Sequence, residues 1–121
     1  MVKKLKKIIE VIEKEFGTLS LFAILKMDEI VDKWSVIVAA DWISESTEPK
    51  RNALFKTIFD QMNKVLNEEE NASISRLGLF GTENHIVQEL KKLKLGEDGT
   101  VRIKDEKVNG NMVHEGIILK S

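Results

Sequence analysis

The sequence predicts an α+β fold, a single domain over residues 1–121 with helices packed on a mostly antiparallel or mixed sheet, in the order α-β-β-α-β-α-β-β. Three features predict it. Apolar residues recur at helical spacing in three segments. Two apolar runs, "LSLFAILKM" and "KWSVIVAADW", have strand length and fall between charged or polar stretches. Near the end of the chain, "Asn109-Gly110" separates "TVRIKDEKV" from "NMVHEGIILKS", the strongest short hairpin signal present.

In the first segment, Leu5, Ile8, Ile9, Ile12 and Phe16 form one helical face, and Gly17 is placed to end the helix as C′. Lys3, Lys4, Lys6 and Lys7 crowd its positive end, which is slightly unfavourable. No aromatic residue is interleaved with them, so a solvated face is expected in preference to a phosphate contact. Leu19 to Met27 is almost unbroken apolar sequence, as in a strand buried on both faces, with a buried helix as the competing form. The β-branched content of the next run favours a strand. Extended throughout, it would carry Trp34, Val36, Val38, Ala40 and Trp42 on one face and Ser35, Ile37, Ala39, Asp41 and Ile43 on the other. The two runs are expected to pair as an antiparallel hairpin.

"SESTEPK" supplies N-cap residues and the single proline, Pro49, which the first turn of a helix tolerates. The helix that follows carries Leu54, Phe55, Ile58, Phe59, Met62, Val65 and Leu66. Glu68–Glu70 is expected to be its solvated end, since three adjacent acids do not converge on a cation by themselves. Ser73 to Gly81 reads as a third strand, in which Gly78 marks a bulge or a close contact. Thr82 is expected to cap a helix with the stripe Ile86, Val87, Leu90 and Leu93, with Lys91, Lys92 and Lys94 in its last turns and Gly96 as its stop. A two-residue turn at Asn109-Gly110 would pair Val108 with Asn111, Asp105 with His114, Lys104 with Glu115 and Ile103 with Gly116. Opposite charges across such pairs contribute roughly 0.2–1 kcal/mol.

A chain of 121 residues is one ordinary domain, and it buries roughly two-thirds of the surface exposed by its unfolded form. Hydrophobic residues at 42% and charged residues at 32% argue against global disorder. Lys and Arg number 19 and Asp and Glu 20, so a net charge of −1 provides no field to hold nucleic acid or an acidic membrane. The lack of cysteine excludes disulfides, thiolate metal sites and a cysteine nucleophile, and suits the cytoplasm. No apolar run approaches the ~20 residues of a membrane helix.

The residues offer little catalytic chemistry. His85 and His114 have no second histidine at ligand spacing, so no metal and no cofactor is expected. No nucleophile-elbow motif is present, and "GLFG" lacks both the Walker and the dinucleotide glycine patterns. A helix start at Gly81–Glu83 could hold an anion, which Glu83 would oppose. Asp41 closes an apolar run, a position that suits either an acid for catalysis or a cap for the next element, and Ala39 stands where a second carboxylate would be needed. Trp42 and Ile43, with Asp41, form the candidate binding residues. Trp42 is either an exposed contact point at the strand exit or a side chain packed under the Pro49 helix.

The order helix, "LSLFAILKM", "KWSVIVAADW", helix, strand resembles the core of the minimal nucleotidyltransferases over roughly residues 1–80. That family keeps a phosphate-holding Gly-Ser on its first strand and two metal-binding aspartates on its second. Here the matching positions hold Ala23 and Ile24, then Lys33 and Ser35, so the resemblance implies a topology without the two-metal chemistry. "LFAIL", "KWSVIVAADW", "SRLGLF" and "VNGNMVHEGIILKS" in sequence also resemble a small prokaryotic family of unknown function, with a Trp-x-Val-x-Val-x-Ala strand and a second Trp soon after it. That resemblance implies a fold and no activity. The expected function is therefore that of a non-catalytic cytoplasmic domain that binds protein or itself. The alternative is an enzyme or nucleotide-binding protein with Asp41 joined by Asp32 or Glu83, and a third reading gives Lys3–Lys7 a nucleic-acid partner.

Overall fold

A computed structural model describes residues 1–27, 33–93, 96, 99–108 and 110–121. Its elements are α1 (Val2–Glu15), β1 (Leu21–Met27), β2 (Trp34–Ala39), α2 (Asp41–Ser44), α3 (Glu48–Val65), α4 (Glu68–Ala72), β3 (Ile74–Phe80), α5 (His85–Lys91), β4 (Val101–Val108) and β5 (Asn111–Lys120). The strands form a five-stranded mixed sheet in the order β3-β2-β1-β5-β4. All neighbours are antiparallel except β2 and β3, which run parallel. A parallel pair needs a long crossover, and α2, α3 and α4 supply it.

β1 and β2 lie at the inner positions and are buried on both faces, apart from a half-buried Lys26. Their first face, with Phe22, Ile24, Val36 and Val38, packs against Leu5, Ile8 and Ile12 of α1 and Leu54, Ile58 and Met62 of α3. Their second face, with Leu21, Ala23, Leu25, Ile37 and Ala39, meets Val87 and Leu90 of the much shorter α5. The unbroken apolar run at Leu19–Met27 is thus the signature of a strand covered on both sides.

α1 ends as its sequence predicts, with Phe16 as C-cap and Gly17 beyond it at φ +134°. A Cβ at Gly17 would sit 3.1 Å from the Trp42 indole nitrogen. Glu13, in the last turn of α1, accepts from the Leu19 N–H at 2.9 Å and pairs with Lys120 at the end of β5. Burial alone would raise its pKa; the hydrogen bonds from Lys120 and Leu19 outweigh that and hold the carboxyl below its ordinary value.

Three expectations change, and the two alternatives for Gly78 are resolved. β2 stops at Ala39, and Ala40 becomes the N-cap of α2, so Trp42 and Ile43 do not alternate across a strand. Ile43 is buried in the first-face core and Trp42 packs at its margin, because a helical turn can send two consecutive apolar side chains to one side. Glu68–Glu70 do not close α3 but open α4, where Asn67 and Glu70 form a reciprocal capping box. Thr82 does not cap α5; Asn84 does, accepting from the Ile86 N–H at 3.0 Å. The β3 bulge falls at Ser75, skipped between the pairs Trp34–Ile74 and Ser35–Arg76, whereas Gly78 is the close contact: a Cβ there would come 2.6 Å from the Phe80 ring.

The C-terminal hairpin has the predicted register, with Val108 opposite Asn111, Lys104 opposite Glu115 and Ile103 opposite Gly116. Asn109 lies outside the described residues, and Gly110 has φ +79°. Asp105 sits at φ +49° and pairs with His114 at 3.6 Å. The irregularity resets the alternation, so Ile103 and Val108 both reach the second-face core although strict alternation would send residues on either side of a four-residue gap to opposite faces. The same reset occurs on β5, where Val113 and Ile118 share that core and the pairing with β1 skips His114.

Glu70 also draws α1 to α4, its carboxylate accepting from Lys4 at 2.6 Å and from the Asn67 N–H at 3.0 Å. These bonds lower its pKa from 4.5 to about 2. A depressed folded-state pKa stabilises the protein above the unfolded value, and the effect is lost as pH falls through the folded one. The stability advantage of wild type over Glu70→Gln, followed by urea denaturation, is therefore expected to be full above pH 4.5 and to shrink between pH 4.5 and about 2.

Candidate functional site

The parallel strands β2 and β3 end side by side, and the chain turns away from both at one corner. There Thr82 donates its hydroxyl hydrogen bond to Asp41 Oδ1 at 2.7 Å, and Ser44 Oγ donates to Glu83 Oε2 at 3.3 Å. The fold thus gathers Asp41 and Glu83, the two described members of the expected acidic set; Asp32 lies outside the described residues. Each carboxylate is held by a hydroxyl from the facing segment, an arrangement that ties the two strand exits together. Among the described residues, no three His, Cys, Asp or Glu side chains group as a metal holder. The positions that the nucleotidyltransferase resemblance assigns to aspartates have other partners: Lys33 donates to the Ala72 carbonyl at 2.7 Å, and Ser35 accepts from Arg76 Nε at 3.0 Å.

Trp42, the central candidate, is half-buried. Its ring stacks on Phe16 with centroids 6.3 Å apart, and Lys50 Nζ, from the first turn of α3, lies 5.0 Å from the ring centroid. The indole N–H donates to the Thr18 carbonyl at 2.9 Å. Trp42 thereby joins the end of α1 to α2 and α3. Of the three candidate residues, Asp41 is exposed and Ile43 is buried. His85 is exposed in the first turn of α5, and His114 is exposed on the hairpin beside Asp105.

The surface that the strand order adds is the sheet edge. β4 closes one side with Arg102, Lys104, Asp105, Glu106 and Lys107, and its backbone is interrupted by the positive φ of Asp105. Dense charge and a break in regular geometry are the devices that keep an edge strand from pairing. β3 closes the other side with "ISRLGLF", whose one charge is Arg76. Ala40 N–H donates to the Phe80 carbonyl and Trp34 N–H to that of Ser73, so the alternate positions Phe80, Gly78 and Arg76 turn their backbone groups toward β2. Leu77 and Leu79 turn theirs outward, and among the described residues neither makes a backbone bond outside the sheet.

Beside this edge the short α5 leaves part of the second face uncovered. A groove of about 280 Å³ runs there, lined by Met27, Ser35, Ile37, Arg76, Phe80 and Ile86. A second, of about 330 Å³, lies on the charged hairpin between Arg102, Lys104, His114 and Glu115. The contrast between "ISRLGLF" and "VRIKDEKV" is visible in the sequence. That these two strands form the edges is a matter of strand order, which local patterning does not contain.

Trp42→Phe keeps the stack on Phe16 and removes the bond to Thr18. It is expected to lower stability by about 0.5–1.5 kcal/mol, measured by urea denaturation at neutral pH.

Comparison of the chain with protein-family models, with curated proteins and with solved structures finds no match.

Proposed function

We propose that this chain is a non-catalytic cytoplasmic interaction domain that binds protein by adding a strand to the open β3 edge. The observation that carries the proposal is the asymmetry of the two edges: β4 is charged and broken at Asp105, while β3 is apolar and regular beyond Ser75. An unprotected edge strand offers unpaired N–H and C=O groups to an incoming strand, and a neighbouring groove accepts its alternate side chains. The groove over Ile37, Gly78 and Phe80 is in position to do so. Among the described residues no helix is long and apolar enough to cross a membrane.

The test is selection from a displayed library of seven-residue peptides on wild type and on Leu79→Pro. The N–H of Leu79 points away from β2, so proline there removes an edge donor and no bond of the sheet. A second variant, Ser75→Lys, places a charge on the same edge from an exposed position. Enrichment of apolar, strand-forming peptides on wild type, lost on both variants, is the expected result. Recovery of the same peptides on all three proteins overturns the proposal.

A further inference from the structure

Building on the β3-edge reading, we infer that the strand received there is β3 of a second copy, antiparallel, with the two-fold axis at Gly78. β3 turns two residues outward above its bulge, Leu77 and Leu79. In an antiparallel pair, outward residues must face outward residues to exchange their backbone bonds. Centring the axis on Gly78 sets Leu77 of each copy opposite Leu79 of the other, so all of these groups find partners. Centring it on Leu77 would set Leu79 against Ser75, where the bulge disrupts the backbone.

The same register suits the side chains. Gly78 meets Gly78 at a non-hydrogen-bonded position, where Cα atoms approach to about 4.5 Å. The Phe80 ring already covers Gly78 within each copy, leaving no room for a Cβ there. Arg76 falls opposite Phe80 of the other copy, a cation across from an aromatic ring, and the two arginines stay apart. On the first face, Leu77 and Leu79 extend the apolar layer that each copy already builds with α3. A continuous sheet across two copies would leave β4 at both outer ends, each carrying its charges and its break at Asp105.

Because the chain contains no cysteine, introduced thiols report the register without interference. The experiment mixes Arg76→Cys and Phe80→Cys under mild oxidation and follows the wild-type mass by sedimentation equilibrium. In the inferred register, residues 76 and 80 of different copies face each other at disulfide distance, whereas 76 and 76 are about 13 Å apart, beyond the reach of a disulfide. The expected results are a cross-linked dimer in the mixture and in neither variant alone, and a wild-type dimer whose Kd rises about tenfold or more in Leu79→Pro. A wild-type chain that stays monomeric while selected peptides still bind the edge overturns self-pairing and leaves the edge reading standing. A dimer that resists Leu79→Pro and does not cross-link in the mixture overturns self-pairing, and if the library yields no edge-dependent peptide the edge reading falls with it.

Discussion

β1 and β2 are apolar on both faces, and that requirement shapes the rest of the fold. A strand with one polar face can border water, but Phe22, Ile24, Val36 and Val38 on one side and Leu21, Ala23, Leu25 and Ile37 on the other must all be covered. The chain covers the first side with α1 and the long α3, and the second with α5, while the inward residues of the hairpin extend that second apolar layer beside β1. The connection from β2 through α3 brings β3 back parallel to β2, and β5 takes the free side of β1. The helical cover is unequal, since α5 is seven residues long and α3 eighteen. The groove beside β3 is a consequence of that inequality.

Polar side chains on the first face and at the strand exits act mostly as joints. Glu13 binds the start of β1 and the end of β5 to α1. Glu70 binds α4 to α1 through Lys4. Thr82 and Ser44 hold the carboxylates of Asp41 and Glu83 at the exits of β2 and β3. Trp42 serves the same end of the molecule with its ring, its N–H and its contact beneath Lys50. Groups with such partners position the backbone, whereas among the described residues the backbone groups of Leu77 and Leu79 on the outer side of β3 make no bond outside the sheet.

The hairpin shows how a local rule and a global one are both satisfied. The turn signal sets the register of β4 on β5, and it holds from Ile103 to Val108. A strict alternation in that register would send either Ile103 or Val108 to water. Asp105, at φ +49°, resets the pattern at the cost of a sparsely populated backbone conformation that aspartate tolerates better than most residues. The same break serves edge protection, because it interrupts the regular ladder that another chain would extend.

The sequence by itself determined the five strands and the helices α1, α3 and α5, though not the short α2 and α4, together with the end of α1 at Gly17 and the register of the hairpin. Each depends on residues within a turn or two of one another: Leu5 with Ile8 and Ile12, Phe16 with Gly17, Val108 with Asn111. It did not place the N-cap of α5, because Thr82 and Asn84 are both good caps, and only the arrival of Asp41 from the exit of β2 engages Thr82. Nor did it show Glu70 as a joint, since its partner Lys4 lies far away in the chain. The strand order, and with it the identity of the edges, was decided by the need to cover both faces of β1 and β2 at once. Tertiary packing alone resolves that competition, and it is what turned the unremarkable segment "ISRLGLF" into the exposed border of the sheet.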